Sequence, residues 1–216
     1  MMVTEFYLAA VSVYMELVPY TMPGSYPGVV YVTSGHDTEI RLTLEAMVDL
    51  VNALSDARES DERADVRELL DSHGFTKATA ASTDSIERVE SRMNGLLDLL
   101  AALATSEPGP TVRWINRELA DLHITPSLTD HDDAGLHIHW TSESAAFDEQ
   151  VIADVLMALG QEICDHGTER FGTCAAATCD HLFYDATRNG SRRFCSDPRC
   201  ASRTHTADHR ARQRSS

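Results

Sequence analysis

The chain has 216 residues, with 34 acidic against 18 basic side chains and a formal net charge of −16. That length gives room for one domain with a core of ordinary size and a small appendage. Its apolar stretches fall short of the roughly 20 residues of a membrane helix, and Met1 to Glu5 lack the basic region of a secretory leader. The expectation is a cytoplasmic protein with reduced thiols and no membrane partner.

Taken in order, the segments predict a mainly helical domain over residues 1–167. Phe6 to Val18 and Val29 to Val32 read as strands able to pair with a later hairpin. Residues 40–57 place Leu42, Leu44, Met47, Leu50, Val51 and Leu54 at helical spacing. Asp65 to Glu68 forms a capping box that opens a short helix over 66–73, stopped by Gly74. The longest helix should run from 83 to 104, with Ile86, Val89, Met93, Leu96, Leu97, Leu100 and Leu103 as its buried stripe, before Pro108-Gly109-Pro110 ends it. A helix over 111–122 carrying Trp114 and Leu119 follows, then an alternating hairpin over 123–141 that turns at Asp130 to Gly135. A last helix over 143–166 buries Phe147, Val151, Ile152, Val155, Leu156 and Leu159 and leads almost directly into the final segment.

Residues 168–216 have a different character. Cys174 and Cys179, then Cys195 and Cys200, repeat one C-x4-C spacing on either side of 15 residues. Each pair can fold into a knuckle that aims two thiolates at one point, and two knuckles complete the tetrahedron zinc prefers. The alternatives are a pair of disulfides or four unrelated buried cysteines; spacing and compartment favour one structural Zn2+. Leu182 to Tyr184 and Arg193-Phe194 flank Asn189-Gly190, the signal of a hairpin. Residues 201–213 read as a helix, with Ser196 as cap and Pro198 in its first turn. The expected fold is therefore α+β: a mainly α-helical N-terminal domain with a small strand component, plus a C-terminal treble-clef-like or ribbon-like zinc finger.

Cys174, Cys179, Phe183-Tyr184-Asp185, the run Arg188 to Ser196, Cys200 and Arg203 together closely resemble the CGNR zinc finger, found at the C-terminus of bacterial proteins that carry an N-terminal ABATE domain. The name-giving Cys-Gly-Asn-Arg stands here as Cys200-Ala201-Ser202-Arg203, which keeps the ligand and the arginine and loses the Gly and Asn. Leu50-Val51-Asn52 is similar to the ABATE domain's Leu-Val-Asn stretch. The resemblance implies a stress-responsive transcription regulator that binds DNA through the finger.

Charge is divided along the chain in a way that fits such a partner. Residues 168–216 hold nine arginines against five acids, a balance of +4, which leaves nine basic against 29 acidic residues, or −20, in residues 1–167. A four-thiolate zinc centre would itself contribute about −2. Arg199, Arg203, Arg210 and Arg214 recur at i, i+4, i+11 and i+15, one face of a helix. With Arg188, Arg192 and Arg193 in the hairpin, Arg199, Arg203 and Arg210 are the candidate phosphate contacts. The competing reading is a solvated arginine tail, or arginines that offset the thiolates and the acidic domain.

Other groups are candidates for chemistry. His137 and His139 share one face of a strand at a common metal-ligand spacing, but the plainer reading is a solvent-facing side opposite Leu136, Ile138 and Trp140. Cys164 reads as a small core residue, with a redox thiol as the alternative. His181 and His205 lie near the thiols, yet two complete Cys pairs make them unnecessary as ligands. No nucleophile elbow, P-loop, dinucleotide loop or zincin motif is present, and four thiolates leave zinc no open position, so enzyme activity is not expected. The acidic domain's candidate roles are ligand sensing, dimerisation and docking of a basic protein partner. In the alternative reading the finger is purely structural and the protein is a protein- or ligand-binding module.

Overall fold

The computed structural model describes residues 35–60, 62–103, 109–129 and 137–214. The strands expected within residues 1–39 and the turn at 130–135 lie outside the described residues, apart from Gly35 onward, which is helical. The described residues belong to one compact unit. Its architecture is α+β, helices with two short antiparallel strand pairs.

The first helix among the described residues, α1, spans Gly35–Glu59 and is the centre of the packing. Leu44, Met47, Leu50, Val51 and Leu54 are buried along it as the periodicity predicts, whereas Leu42 is 44% exposed. Helix α2, Val66–Ser72, begins where the capping box places it: the Asp65 carboxylate accepts from the Glu68 N–H at 2.9 Å. Gly74, at φ +90°, provides the left-handed residue that turns the chain away from α2 into a 3-10 helix, Thr76–Ala80. Helix α3, Thr83–Leu103, is capped by Ser82, whose Oγ accepts from the Ser85 N–H at 3.1 Å. Val89, Met93, Leu96, Leu100 and Leu103 are buried, with Ile86 and Leu97 packed against them. Helix α4, Gly109–Ala120, starts two residues earlier than expected, because Pro110 is well suited to a first helical turn where no N–H is needed.

Strands β1, Ser127–Thr129, and β2, His137–His139, pair antiparallel with Leu128 opposite Ile138. Here the structure corrects the sequence reading. Leu128 is 70% exposed, while His137 is buried and His139 half-buried. Strand β2 packs against α1, so the histidine side of the ribbon faces the body, while Leu128 on the other side faces out and Ile138 and Trp140 are half-buried.

Helix α5, Phe147–His166, starts four residues later than predicted, because residues 142–145 form a turn closed by the Ala145 N–H on the Ser142 carbonyl. Val151, Ile152, Val155, Leu156 and Leu159 face α1 and α3. Cys164 falls on the opposite side and is exposed, which corrects its reading as a core residue.

The N-terminus of α5 is tied to α3 by Asp148. Its buried carboxylate accepts from Ser85 Oγ at 2.6 Å, Arg88 Nε at 2.7 Å and the other Arg88 nitrogen at 2.9 Å. The Arg88 hydrogen bond is the main reason this carboxyl sits below its ordinary range, against the opposing effect of burial. A carboxyl with a lowered folded-state pKa stabilises fully above the ordinary carboxylate range and loses that contribution as pH falls from that range through the lowered folded-state value. Asp148→Asn is expected to lower stability by roughly 1–3 kcal/mol at pH 7. The difference from wild type should shrink on acidification, as read from urea unfolding at a series of pH values.

Candidate metal centre

The C-terminal segment is built on a strand pair and a helix. Strand β3, Phe171–Thr173, pairs antiparallel with β4, Leu182–Tyr184, and helix α6, Pro198–Arg214, comes last. The hairpin expected between Leu182–Tyr184 and Arg193-Phe194 is therefore replaced by pairing with the upstream strand. Gly172 is required there. A Cβ at this position would lie 2.5 Å from the Phe183 ring, which crosses the strand at its pairing partner and carries the Arg192 guanidinium 5.9 Å from its centroid.

The loop after β4 is ordered by one carboxylate. Asp185 is 3% exposed and accepts from the Thr187 N–H at 2.8 Å, Thr187 Oγ1 at 2.5 Å and the Arg192 N–H at 2.7 Å. Burial opposes the ionised form, yet these hydrogen bonds prevail and hold its carboxyl below the ordinary range. Asp185 thus supplies the acceptors that a partner strand would have supplied. Gly190, at φ +56°, closes the Thr187 turn within this loop.

These elements bring the four cysteines together. Cys174 comes directly after β3, its N–H on the His181 carbonyl at 2.8 Å, and Cys179 closes the first knuckle through the Ala176 carbonyl at 3.1 Å. Cys195 precedes the second knuckle, and Cys200 lies in the first turn of α6. That helix is capped by Asp197 rather than Ser196: the Asp197 carboxylate accepts from the Arg199 N–H at 2.8 Å, while Ser196 Oγ donates to Asp49 at 2.9 Å. Pro198 occupies the first helical position, so the residue before it is the one placed to cap.

The four sulfurs all lie within 4.8 Å of one another. The Cys179–Cys195 and Cys195–Cys200 sulfurs are each 3.8 Å apart. Four ligands at a Zn–S distance of about 2.3 Å define a tetrahedron with edges of about 3.8 Å, so the spacing fits zinc. All five cysteines are free thiols, which removes the disulfide alternative.

Burial pushes the Cys195 thiol up to about 11 and raises that of Cys200 as well. Cys174 goes the other way: despite burial, the N–H groups of Cys195 and Ala176 hold it below its ordinary value. The Cys174 thiolate forms readily, whereas those of Cys195 and Cys200 need a cation beside them, which a dication supplies. His181 bonds Asp56 at 2.8 Å and the His205 ring packs edge-on against Phe194, so both lie in other contacts beside the cysteine cluster.

Residues 170–213 match the family model of the CGNR zinc finger. The match covers the cysteine segment and not the helical body. No curated protein matches the chain.

The finger is fastened to the helices by contacts that sequence reasoning missed. Asn52 of α1 donates to the Leu182 carbonyl at 2.9 Å and accepts from the Leu182 N–H at 2.8 Å. Its carboxamide acts as a one-residue strand on the outer edge of β4. Tyr184 donates to the buried Glu162 of α5 at 2.9 Å; burial first, then that hydrogen bond, raises its phenol well above the ordinary value. Arg170 reaches Glu162 at 3.4 Å and the carbonyls of Asp185 and Thr187 at 2.8 and 3.0 Å. Phe171, Leu182 and Tyr184 complete the core of the helical body.

The candidate arginines divide into two groups. Arg192 is half-buried and donates to the carbonyls of Phe194 at 2.8 Å and Tyr184 at 3.1 Å, a structural role within the finger. Arg188, Arg193, Arg199, Arg203 and Arg210 are exposed. Arg199 also pairs with Asp197 at 2.8 Å, which holds that carboxyl down at about 2.

Cys179→Ser is expected to abolish zinc retention, measured by metal analysis, and to cost the helical signal of α6 while the remaining helices persist, because metal binding and finger folding are coupled. Asn52→Leu should leave a buried N–H and C=O unpaired and lower stability by roughly 2–4 kcal/mol in chemical unfolding, with zinc content unchanged.

Proposed function

We propose that the protein is a cytoplasmic, zinc-dependent transcription regulator that contacts DNA through α6, with the acidic helical domain acting as a sensor or interaction module. One observation carries this reading. Helix α6 leaves the body after its second turn: every residue from His205 to Arg214 is exposed, and the exposed set includes Arg210, Arg212 and Arg214. A helix segment that is polar on all sides and exposed along its whole second half is suited to an external partner. Arg199 and Arg203 extend the basic character of α6 toward the zinc site.

Phosphate is the chemical match for such a face. Arginine offers a planar set of donors that pairs with phosphate oxygens, and neutralising the polyanion releases condensed counterions. The acidic domain opposes binding at long range, so the contact is confined to the finger. The reading assigns the zinc a structural part and the chain no catalytic step.

A second reading is favoured by a different observation. The β3–β4 half of the finger is welded to α1 and α5 through Asn52, Tyr184 and Arg170. On that reading the finger is purely structural and the chain is a protein- or ligand-binding module, alone or as a homodimer.

Binding of the zinc-loaded protein to pooled genomic DNA fragments across a salt series separates the two. Wild type is expected to bind with an affinity that falls steeply as salt rises. Arg199→Ala/Arg203→Ala/Arg210→Ala should bind more weakly, with a slope shallower by roughly 0.9 for each phosphate contact removed. Absence of binding at low salt would favour the structural finger.

A further inference from the structure

An opening in the helical body lies between α1, the end of α2 with the 3-10 helix, β2 and the first half of α5. Its volume is about 610 Å³, within the usual range of roughly 300–1,000 Å³ for small-molecule sites. Leu42, Phe75, Phe147 and Val151 form an apolar wall, which explains why Leu42, in register with the buried stripe of α1, remains exposed.

The polar wall is unevenly satisfied. Lys77 donates to Gln150 at 3.1 Å, His73 pairs with Asp49 at 3.2 Å, and His137 and His139 face each other with their Nε2 atoms 3.0 Å apart. Asp154 has no hydrogen-bond donor among the described residues, and the nearby Glu39 adds a second negative charge. Burial, reinforced by Glu39 and opposed by Lys77 and His137, pushes the Asp154 carboxyl up to about 7. The cavity wall therefore holds a half-buried carboxylate beside a like charge, an arrangement that a cation would relieve.

Among the described residues the four cysteines are the one group of three or more His, Cys, Asp or Glu whose ligand atoms converge, and Asp154 and Glu39 do not join the His137–His139 pair in such a group. The occupant must span the cavity and touch both walls.

We propose that this cavity binds a small organic cation, a protonated amine on an apolar or aromatic body, with Asp154 as its counter-ion and Leu42, Phe75, Phe147 and Val151 around the body. The site deepens the sensing half of the proposed function. It is tested without DNA, so its failure would leave the finger's DNA contact standing, and failure of DNA binding would leave the cavity's ligand standing.

The test is isothermal titration of the zinc-loaded full chain with 2-phenylethylamine, 2-phenylethanol and 3-phenylpropanoate, a cation, a neutral molecule and an anion of similar shape. The amine should bind at least tenfold more tightly than either of the others, and severalfold more tightly at pH 8 than at pH 6, where Asp154 holds its proton. Asp154→Asn, with zinc content and thermal unfolding checked, should lose at least tenfold in amine affinity and much of the pH dependence. Glu39, Lys77, His73, His137 and His139 also face the space, and this variant separates the share of the Asp154 carboxyl from theirs. Lys77→Met, at an exposed position, should tighten amine binding severalfold by removing the opposing charge. Equal binding of the three probes, no binding of the amine, or full amine affinity in Asp154→Asn would overturn the proposal.

Discussion

The edge of a two-stranded ribbon has to find hydrogen-bond partners when it is buried, and that constraint decides how this molecule is assembled. Strand β4 lies against α1 with the outward N–H and C=O of Leu182 away from water. An unpaired buried peptide group costs on the order of 1–3 kcal/mol. Asn52 meets both groups with one carboxamide, and it can do so only because it sits one residue beyond Val51 on a helix otherwise committed to the core. The finger is consequently not a bead on a string. Its strand pair shares a core with the helices, while its metal knuckles and helix stand outside it.

That arrangement sorts the basic residues. Arg170 and Arg192 are consumed by the backbone of the finger, since the loop after β4 pairs with no strand and its carbonyls need donors. Arg188, Arg193, Arg199, Arg203 and Arg210 remain outside. Zinc makes the division workable: four thiolates and one dication would fix two knuckles and the start of α6, so a polar helix can be held at one end with its later residues exposed. The charge asymmetry of the chain is the long-range counterpart of the same division.

Much of this was legible in the chain because its causes are local. The caps and stops at Asp65 and Gly74, the stripe of α3 and the paired C-x4-C spacings each depend on residues within one or two turns of one another. The misreadings share a different cause. Arg193-Phe194 has the pattern of a strand, but Asp185 satisfies the Arg192 N–H and the strand slot is taken by Phe171–Thr173. The His137 and His139 side of β2 reads as a solvent face by hydropathy, yet it is the side pressed against α1. Cys164 is a residue type commonly buried, but it lies on the outer side of α5. Ser196 is a good cap in isolation and loses the position to Asp197 because it bonds Asp49 instead.

Sequence by itself determined the helices, the zinc ligands and the opposed charges of the two halves, since periodicity, ligand spacing and composition are properties of neighbours along the chain. Tertiary structure alone decided which arginines are left uncovered, that Asn52 and Glu162 hold the finger, and that Asp154 faces a cavity with no hydrogen-bond donor among the described residues. Each of those outcomes is set by which groups from distant segments arrive at the same place, and hydrogen bonding and desolvation act there on proximity in space, which neither hydropathy nor spacing along the chain encodes.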